Sequence, residues 1–530
     1  AGLIDELIPL IRDPNMPLEL RRRMVGVLKA WIEPRSIEMV QALVEDPGLD
    51  IGLRVALLNA LAETGLPSIT PWLMGFLRES RWRHLLARVW EQIRTLPPFL
   101  MQWIDRLTGL STVAQEDFSR MLLQRQAIAA LGLLRDRRAI PLLVRILKNP
   151  QVHPSLRALV PDALAAIGET KVAPELLTLL RDRVTDSMIR ERIALALGTI
   201  KATSATQALL ELLRDPMEDP FIQARVALAI GLMRDPSVAL ELVPLLRQEN
   251  LPVTARRAIA DALGTLGNRE VARSLIQLLP EERIPASVRQ SIADAIGALG
   301  ASELGDELLW LLRDERIDPH VRGAIALTLT TLRHRPAASE IISLLSDIRI
   351  DPSIRQSLAE SLGSLWDPSL IAPLTRLAHE GTLEPAVRQA IVRTLGEHGG
   401  PEAFSALWIL AKNAEAPISL RRAAADAMVA SASAEFEEVL VSLALDPEIP
   451  PYIRGRALEA LRRVGNDVET VQALVAALPE SDMPNAVFRA LVEVTRRARV
   501  RLLRKGATIH WISEENPIQR SGGGHCEDLH

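Results

Sequence analysis

Apolar and polar positions follow a helical period almost from end to end of this chain. In the segment Ile317–Asp347 (IDPHVRGAIALTLTTLRHRPAASEIISLLSD), apolar residues recur at Val321, Ile325, Leu329 and Leu332. At 3.6 residues per turn they share one helix face. Asp318 and Pro319 are the predicted N-cap and first helical residue. An Asp carboxylate accepts from backbone N–H groups left free at a helix start, and proline has no N–H to lose there. The same start recurs at Pro285, Pro352 and Pro385. A short turn follows, then a second apolar-periodic stretch ending in Leu344 and Leu345. The segment predicts a helical hairpin.

The hairpin repeats. Glycines 132, 198, 231, 264, 297, 363 and 396 lie 33 residues, or a multiple of 33, apart. Eight residues before each register position runs a second column. It reads Gln124, Arg157, Arg190, Gln223, Arg256, Arg289, Arg322, Arg355, Arg388, Arg421 and Arg454, and Arg21 and Arg54 extend it upstream. One hairpin cannot bury both of its apolar stripes, whereas stacked neighbours share a continuous core. The period therefore predicts an all-α solenoid of about 14 stacked hairpins. The glycine column is expected where neighbouring helices approach closely.

The text VRxxxAxxxG followed by LxxLL, as in SVRQSIADAIGALGASELGDELLWLL from Ser287, resembles HEAT repeats. It is most similar to the short bacterial HEAT-like type named after phycobilisome lyases, and the likeness runs from about residue 3 to 505. The resemblance implies a right-handed superhelix. It also implies that the arginines of the column are structural, bonding polar atoms at the turns between units with their stems along apolar surface. It implies little about function, because such repeats serve many roles. One enzymatic relative, deoxyhypusine hydroxylase, holds iron through repeated His-Glu dyads. Here only His379-Glu380 reads in that order and Glu397-His398 is reversed, so no metal site is expected. A phycobilin lyase-type activity, attaching a chromophore, is the alternative the resemblance brings.

Two regions leave the pattern and set the expected boundaries. Residues 1–65 read as N-terminal repeats and 121–485 as regular repeats. Between them, 66–120 hold seven of the chain's aromatic residues, including Trp82 and Trp103, which are candidate anchors for a partner. From Arg54 to Gln124 the column skips 70 residues, two periods plus four, so this stretch reads as irregular repeats. Residues 486–505 read as a basic capping helix, with seven basic residues and one acidic between 489 and 505. Nucleic-acid binding through that helix is a second alternative. Residues 506–530, ending SGGGHCEDLH, read as a disordered tail. Its His525, Cys526 and His530 are weak metal-ligand candidates.

Composition narrows the function classes. The net charge is -4, too small for a dedicated nucleic-acid or membrane-surface protein. No uncharged apolar run is long enough to cross a membrane. A single cysteine, Cys526, rules out an intrachain disulfide framework and points to a reducing, cytoplasmic setting. The chain opens at Ala1 inside a helical pattern, which reads as a processed or excised chain. A sensor arm at the C-terminal end of a larger signalling protein, as in bacterial NACHT-type ATPases, fits that reading. No GxxxxGK[ST], HExxH or GxSxG motif is present. The expectation is a non-enzymatic scaffold with no cofactor and a protein partner.

Helical geometry indicates where that partner sits. Counting from the arginine column, positions +1, +5 and +12 fall on the side away from the core. Position +5 carries Asp162, Asp261, Asp294, Glu360, Asp426 and Glu459, an acidic ridge suited to a partner with a basic surface. Asp261, Asp294, Glu360, Asp426 and Glu459 are the candidate partner residues for basic groups. Leu195 and Leu228 occupy the same column and are the candidate apolar step on the ridge.

Overall fold

The computed structural model describes residues 2–77, 110–477, 484–505, 508–513 and 527–528. Helix follows helix through almost all of them, in two units, Ala1–Asn268 and Arg269–His530.

A regular repeat is built as its sequence dictates. The Asp318 carboxylate accepts from the backbone N–H groups of His320 (2.9 Å) and Val321 (3.3 Å), and helix Pro319–Thr331 starts there. Asp186, Asp219 and Asp351 cap Ser187–Thr199, Pro220–Met233 and Pro352–Ser361 in the same way. Pro285 sits one position earlier than expected, ahead of helix Ala286–Leu299. Val321, Ile325 and Leu329 are fully buried. One turn of 3-10 helix, Arg335–Ala337, then leads into the second helix, Ala338–Leu345.

Between the two helices the backbone passes once through the left-handed region, eleven residues after the column residue. Gly65, Gly168, Gly267 and Gly300 hold that position at φ between +66° and +76°, whereas Arg135, Lys201, Arg234 and Arg333 hold it at 51° to 55°. A Cβ there crowds the following carbonyl, and glycine has none. Arg234→Gly and Arg333→Gly are each expected to stabilise by roughly 0.5–1 kcal/mol, seen as a higher urea midpoint. A lower midpoint would mean that the side chains contribute packing worth more than the strain.

First helices stack on first helices through the glycine column. A Cβ on Gly198 would lie 2.6 Å from the carbonyl oxygen and 2.7 Å from the Cα of Ala229 in the next repeat. One on Gly132 would lie 2.9 Å from the Ala163 Cα.

The arginine column closes each junction. Nε of Arg21, Arg54, Arg157, Arg190, Arg322 and Arg421 donates to the carbonyl oxygen ten residues back, at 2.7 to 3.0 Å. Arg289 and Arg355 reach theirs through Nη1, at 3.0 and 3.3 Å, and Gln223 through its amide at 3.2 Å. These carbonyls end the preceding second helix, where no intrahelical N–H is left to bond them. Arg256, Arg388 and Arg454 are buried at the same position.

That bond corrects the reading of 66–120. Gln124 donates to the carbonyl oxygen of Phe76 (2.9 Å), at the end of helix Thr70–Phe76. The Gln126 amide bonds Asn59, and Arg138 Nη2 reaches the Pro67 carbonyl at 2.8 Å. Helix Leu110–Leu134 therefore stacks directly on the repeat of Ile51–Glu63. The extra residues are an insertion at one junction rather than two whole repeats. A period count cannot distinguish these, because 70 residues is close to two periods. Trp82 and Trp103 lie outside the described residues.

The C-terminal end differs too. The basic helix expected over 486–505 runs Pro484–Arg497. Arg499 turns into the left-handed region (φ 51°), and Val500–Lys505 continues as a strand. It pairs antiparallel with Thr508–Ser513, Lys505 facing Thr508, and also with Glu527–Asp528. The expected disordered tail thus contributes two strands. Its β-branched and aromatic run, TIHWIS, favours a pleated surface, which a helix-period reading overlooks. The basic residues are split between helix and strand, so the single basic helical face of the nucleic-acid alternative does not form.

Candidate functional site

The solvent side of the first helices is where a partner can reach the chain. At position +5, Ala129, Asp162, Asp261, Asp294, Glu360, Arg393 and Glu459 are exposed, and Leu195, Leu228, Leu327 and Asp426 are half-exposed. The column faces away from the core in both units.

Its charges are largely engaged. Glu360 pairs with Arg393 Nη2 at 2.7 Å and accepts from the Gln356 amide at 3.1 Å. Asp426 lies 2.6 Å from Arg456 Nε and accepts from the Tyr452 hydroxyl (2.8 and 3.0 Å). That carboxylate bond, with burial, raises the Tyr452 pKa, and the ring also carries the Arg422 guanidinium at 5.1 Å. Glu459 pairs with the same Arg456, and Asp162 with Arg192. Asp261 stands near Arg257. Burial raises its pKa and the guanidinium partly offsets that. The sequence reading counted the acids and overlooked the arginines one turn or one repeat away. Reading the +2 and +5 columns for both signs of charge would have found Arg192, Arg393 and Arg456.

Leu195 and Leu228 sit on successive stacked helices, Ser187–Thr199 and Pro220–Met233. Between those helices Arg225 Nε bonds Glu191 at 3.0 Å. On the same faces, one turn or more toward the N-termini, stand Met188 and Phe221, both well exposed. Sequence reasoning missed these two because it followed column +5 and not column -2.

The second helices present a different surface. Arg181–Glu211 (2.7 Å) and Arg214–Glu241 (2.9 Å) link successive repeats in the first unit, and Arg273–Glu307 (3.1 Å) and Arg313–Glu340 (2.8 Å) do so in the second. Such exposed pairs are each worth about 0–1 kcal/mol and leave a solvated, charge-balanced face.

Among the described residues no group of His, Cys, Asp and Glu is placed to hold a metal ion. His525, Cys526 and His530 lie outside those residues. Among the described residues no helix is long and apolar enough to cross a membrane.

The HEAT-repeat family profile matches residues 109–187, 153–222, 183–259 and 338–419. No curated protein matches the chain. Among solved structures, Kap95p in its complex with RanGDP aligns over 93% of this chain and 72% of its own, at 12% identity and a TM-score of 0.53. The CpcE–CpcF complex of phycocyanin lyase from Nostoc sp. aligns over 44% of this chain and 92% of its own, at 18% identity and a TM-score of 0.27. Human deoxyhypusine hydroxylase aligns over 63% of this chain and 96% of its own, at 19% identity and a TM-score of 0.22. With the arginine and glycine columns at every regular junction, the chain is a HEAT-repeat protein with an all-α solenoid fold.

Proposed function

We propose that this chain is a non-enzymatic protein-binding scaffold, or recognition array, that engages a partner along the solvent side of its first helices. The observation that carries this reading is a contrast between columns. The arginine and glycine positions repeat because the junctions need them. The outward +5 position changes from acid to leucine to arginine along the stack, although packing leaves it free to be any polar residue. Surface variation on a fixed frame is how a repeat array acquires a specific partner. The remaining acidic character, at Asp261, Asp294 and Glu360, suits a partner with a basic surface.

The test is charge reversal, Asp261→Lys with Asp294→Lys and Glu360→Lys. Retention of a crosslinked partner by the full chain is expected to fall roughly tenfold or more. The circular-dichroism melt is expected to stay close to wild type, since all three positions are exposed. Undiminished retention would remove the ridge from the interface. An immunoblot of source cells would report whether the array acts alone or as the recognition arm of a larger signalling protein.

A further inference from the structure

Four large apolar side chains stand in solvent at two adjacent junctions of the first unit. Val184 is 93% exposed, Met188 59%, Met217 75% and Phe221 68%. They occupy two columns, six and two residues before the column residue, once in the repeat of Arg190 and again in that of Gln223. The repeat itself supplies the control. The preceding repeat has Gln151 and Ser155 at those positions, and the following one has Asn250 and Thr254. The fold therefore needs nothing apolar there. A contiguous exposed apolar patch that packing does not require marks an interaction surface.

Acids frame the patch. Asp182, Asp186, Asp215 and Asp219 lie in the same two turns, and the Arg183–Asp215 pair (2.6 Å) neutralises one of them. Asp186 and Asp219 accept from the backbone N–H groups of Met188 (2.9 Å) and Phe221 (2.8 Å), which fixes each carboxylate beside the apolar side chain it serves. The Thr185 hydroxyl and the Val184 N–H hold the Asp182 carboxyl below the usual carboxylate range. Beneath the patch, Arg190 and Glu218 form a buried two-point ion pair that binds the two turns together. The surface is thus apolar at its centre, acidic at its rim and held on a rigid base.

We infer that this patch docks a basic amphipathic helix of a partner protein, with the helix's apolar face on Val184, Met188, Met217 and Phe221 and its lysines or arginines against Asp182, Asp186 and Asp219. Packed first helices lie about 8–10 Å apart, and two turns of a helix rise about 10.5 Å, so apolar residues at i and i+7 reach both junctions. The inference rests on the protein-binding reading and gives it a second surface, separate from the acidic ridge.

The experiment uses the full chain and a fluorescein-labelled amphipathic peptide with leucines on one face and lysines on the other. Binding is followed by anisotropy. The variant Val184→Gln, Met188→Ser, Met217→Asn, Phe221→Thr borrows each residue from a neighbouring repeat, so it keeps a proven local fold. It is expected to bind the peptide roughly tenfold or more weakly while melting like wild type. A peptide with glutamates in place of lysines is expected to bind far less well. The ridge variant with lysines at 261, 294 and 360 is expected to bind as wild type does. Loss in the ridge variant alone would overturn the patch and leave the protein-binding reading standing. Equal binding by the two peptides would overturn the acidic rim. No binding to the wild-type chain would overturn both readings.

Discussion

Glu218→Ala is expected to cost the first unit about 3–5 kcal/mol, because it leaves a guanidinium buried without its counter-charge. Arg190 bonds Glu218 at 2.9 and 2.6 Å, and the two side chains are only 4% and 2% exposed. At the equivalent position other junctions bury an aliphatic residue, Leu251, Ile284, Ile317 or Ile350. The pair is therefore a local substitution for an apolar contact, and its removal in one step differs from its removal in two. Arg190→Gln with Glu218→Leu recreates a combination the chain already uses, the amide of Gln223 beside Leu251. The double variant is expected to recover most of the loss, as replaced buried pairs commonly do. Urea unfolding measures the difference. Hydrogen exchange in Ser187–Thr199 and Pro220–Met233 locates it, since a solenoid can open at one junction while the rest stays folded. A cost below about 1 kcal/mol for the single variant would mean that water reaches the arginine.

Alanine at two glycines of one column is expected to act in opposite directions. At Gly198 the new methyl would meet the Ala229 backbone at 2.6 and 2.7 Å, and backbone cannot step aside as a side chain can. The two helices must separate, at a cost of about 1–3 kcal/mol that outweighs the gain in helix propensity. At Gly297 the nearest atom is the Thr328 Cγ2 at 3.6 Å, an ordinary contact. Gly297→Ala is therefore expected to stabilise by roughly 0.5–1 kcal/mol. Thermal melts of the two variants would settle the comparison. Equal destabilisation by both would show the junctions to be packed alike.

Much of this architecture was legible in the residues because a repeat prints each physical requirement many times. Asp318 before Pro319 marked a helix start, the glycine column marked close approach, and the 33-residue period gave the stack. Legibility failed where an element occurs once. The insertion before Gln124 imitates two periods, so only the bond to Phe76 exposes it. Val500–Lys505 and Thr508–Ser513 follow a period of two in a chain otherwise read at 3.6. For the candidate site, the helical angle placed column +5 on the surface correctly. Charge counting along that column missed Arg393 and Arg456, because the pairing is between repeats and between turns. The apolar patch was missed because its residues are conspicuous only when compared with Gln151, Ser155, Asn250 and Thr254.

The ten-residue reach of the arginine column has a consequence for how the chain divides. A fragment that begins at the start of a first helix, where the period suggests a cut, carries an arginine whose carbonyl partner has been left on the discarded side. Fragments of this array should instead open on a second helix. The unit that was copied in the gene and the unit that can be detached from the protein are out of phase by about a third of a period.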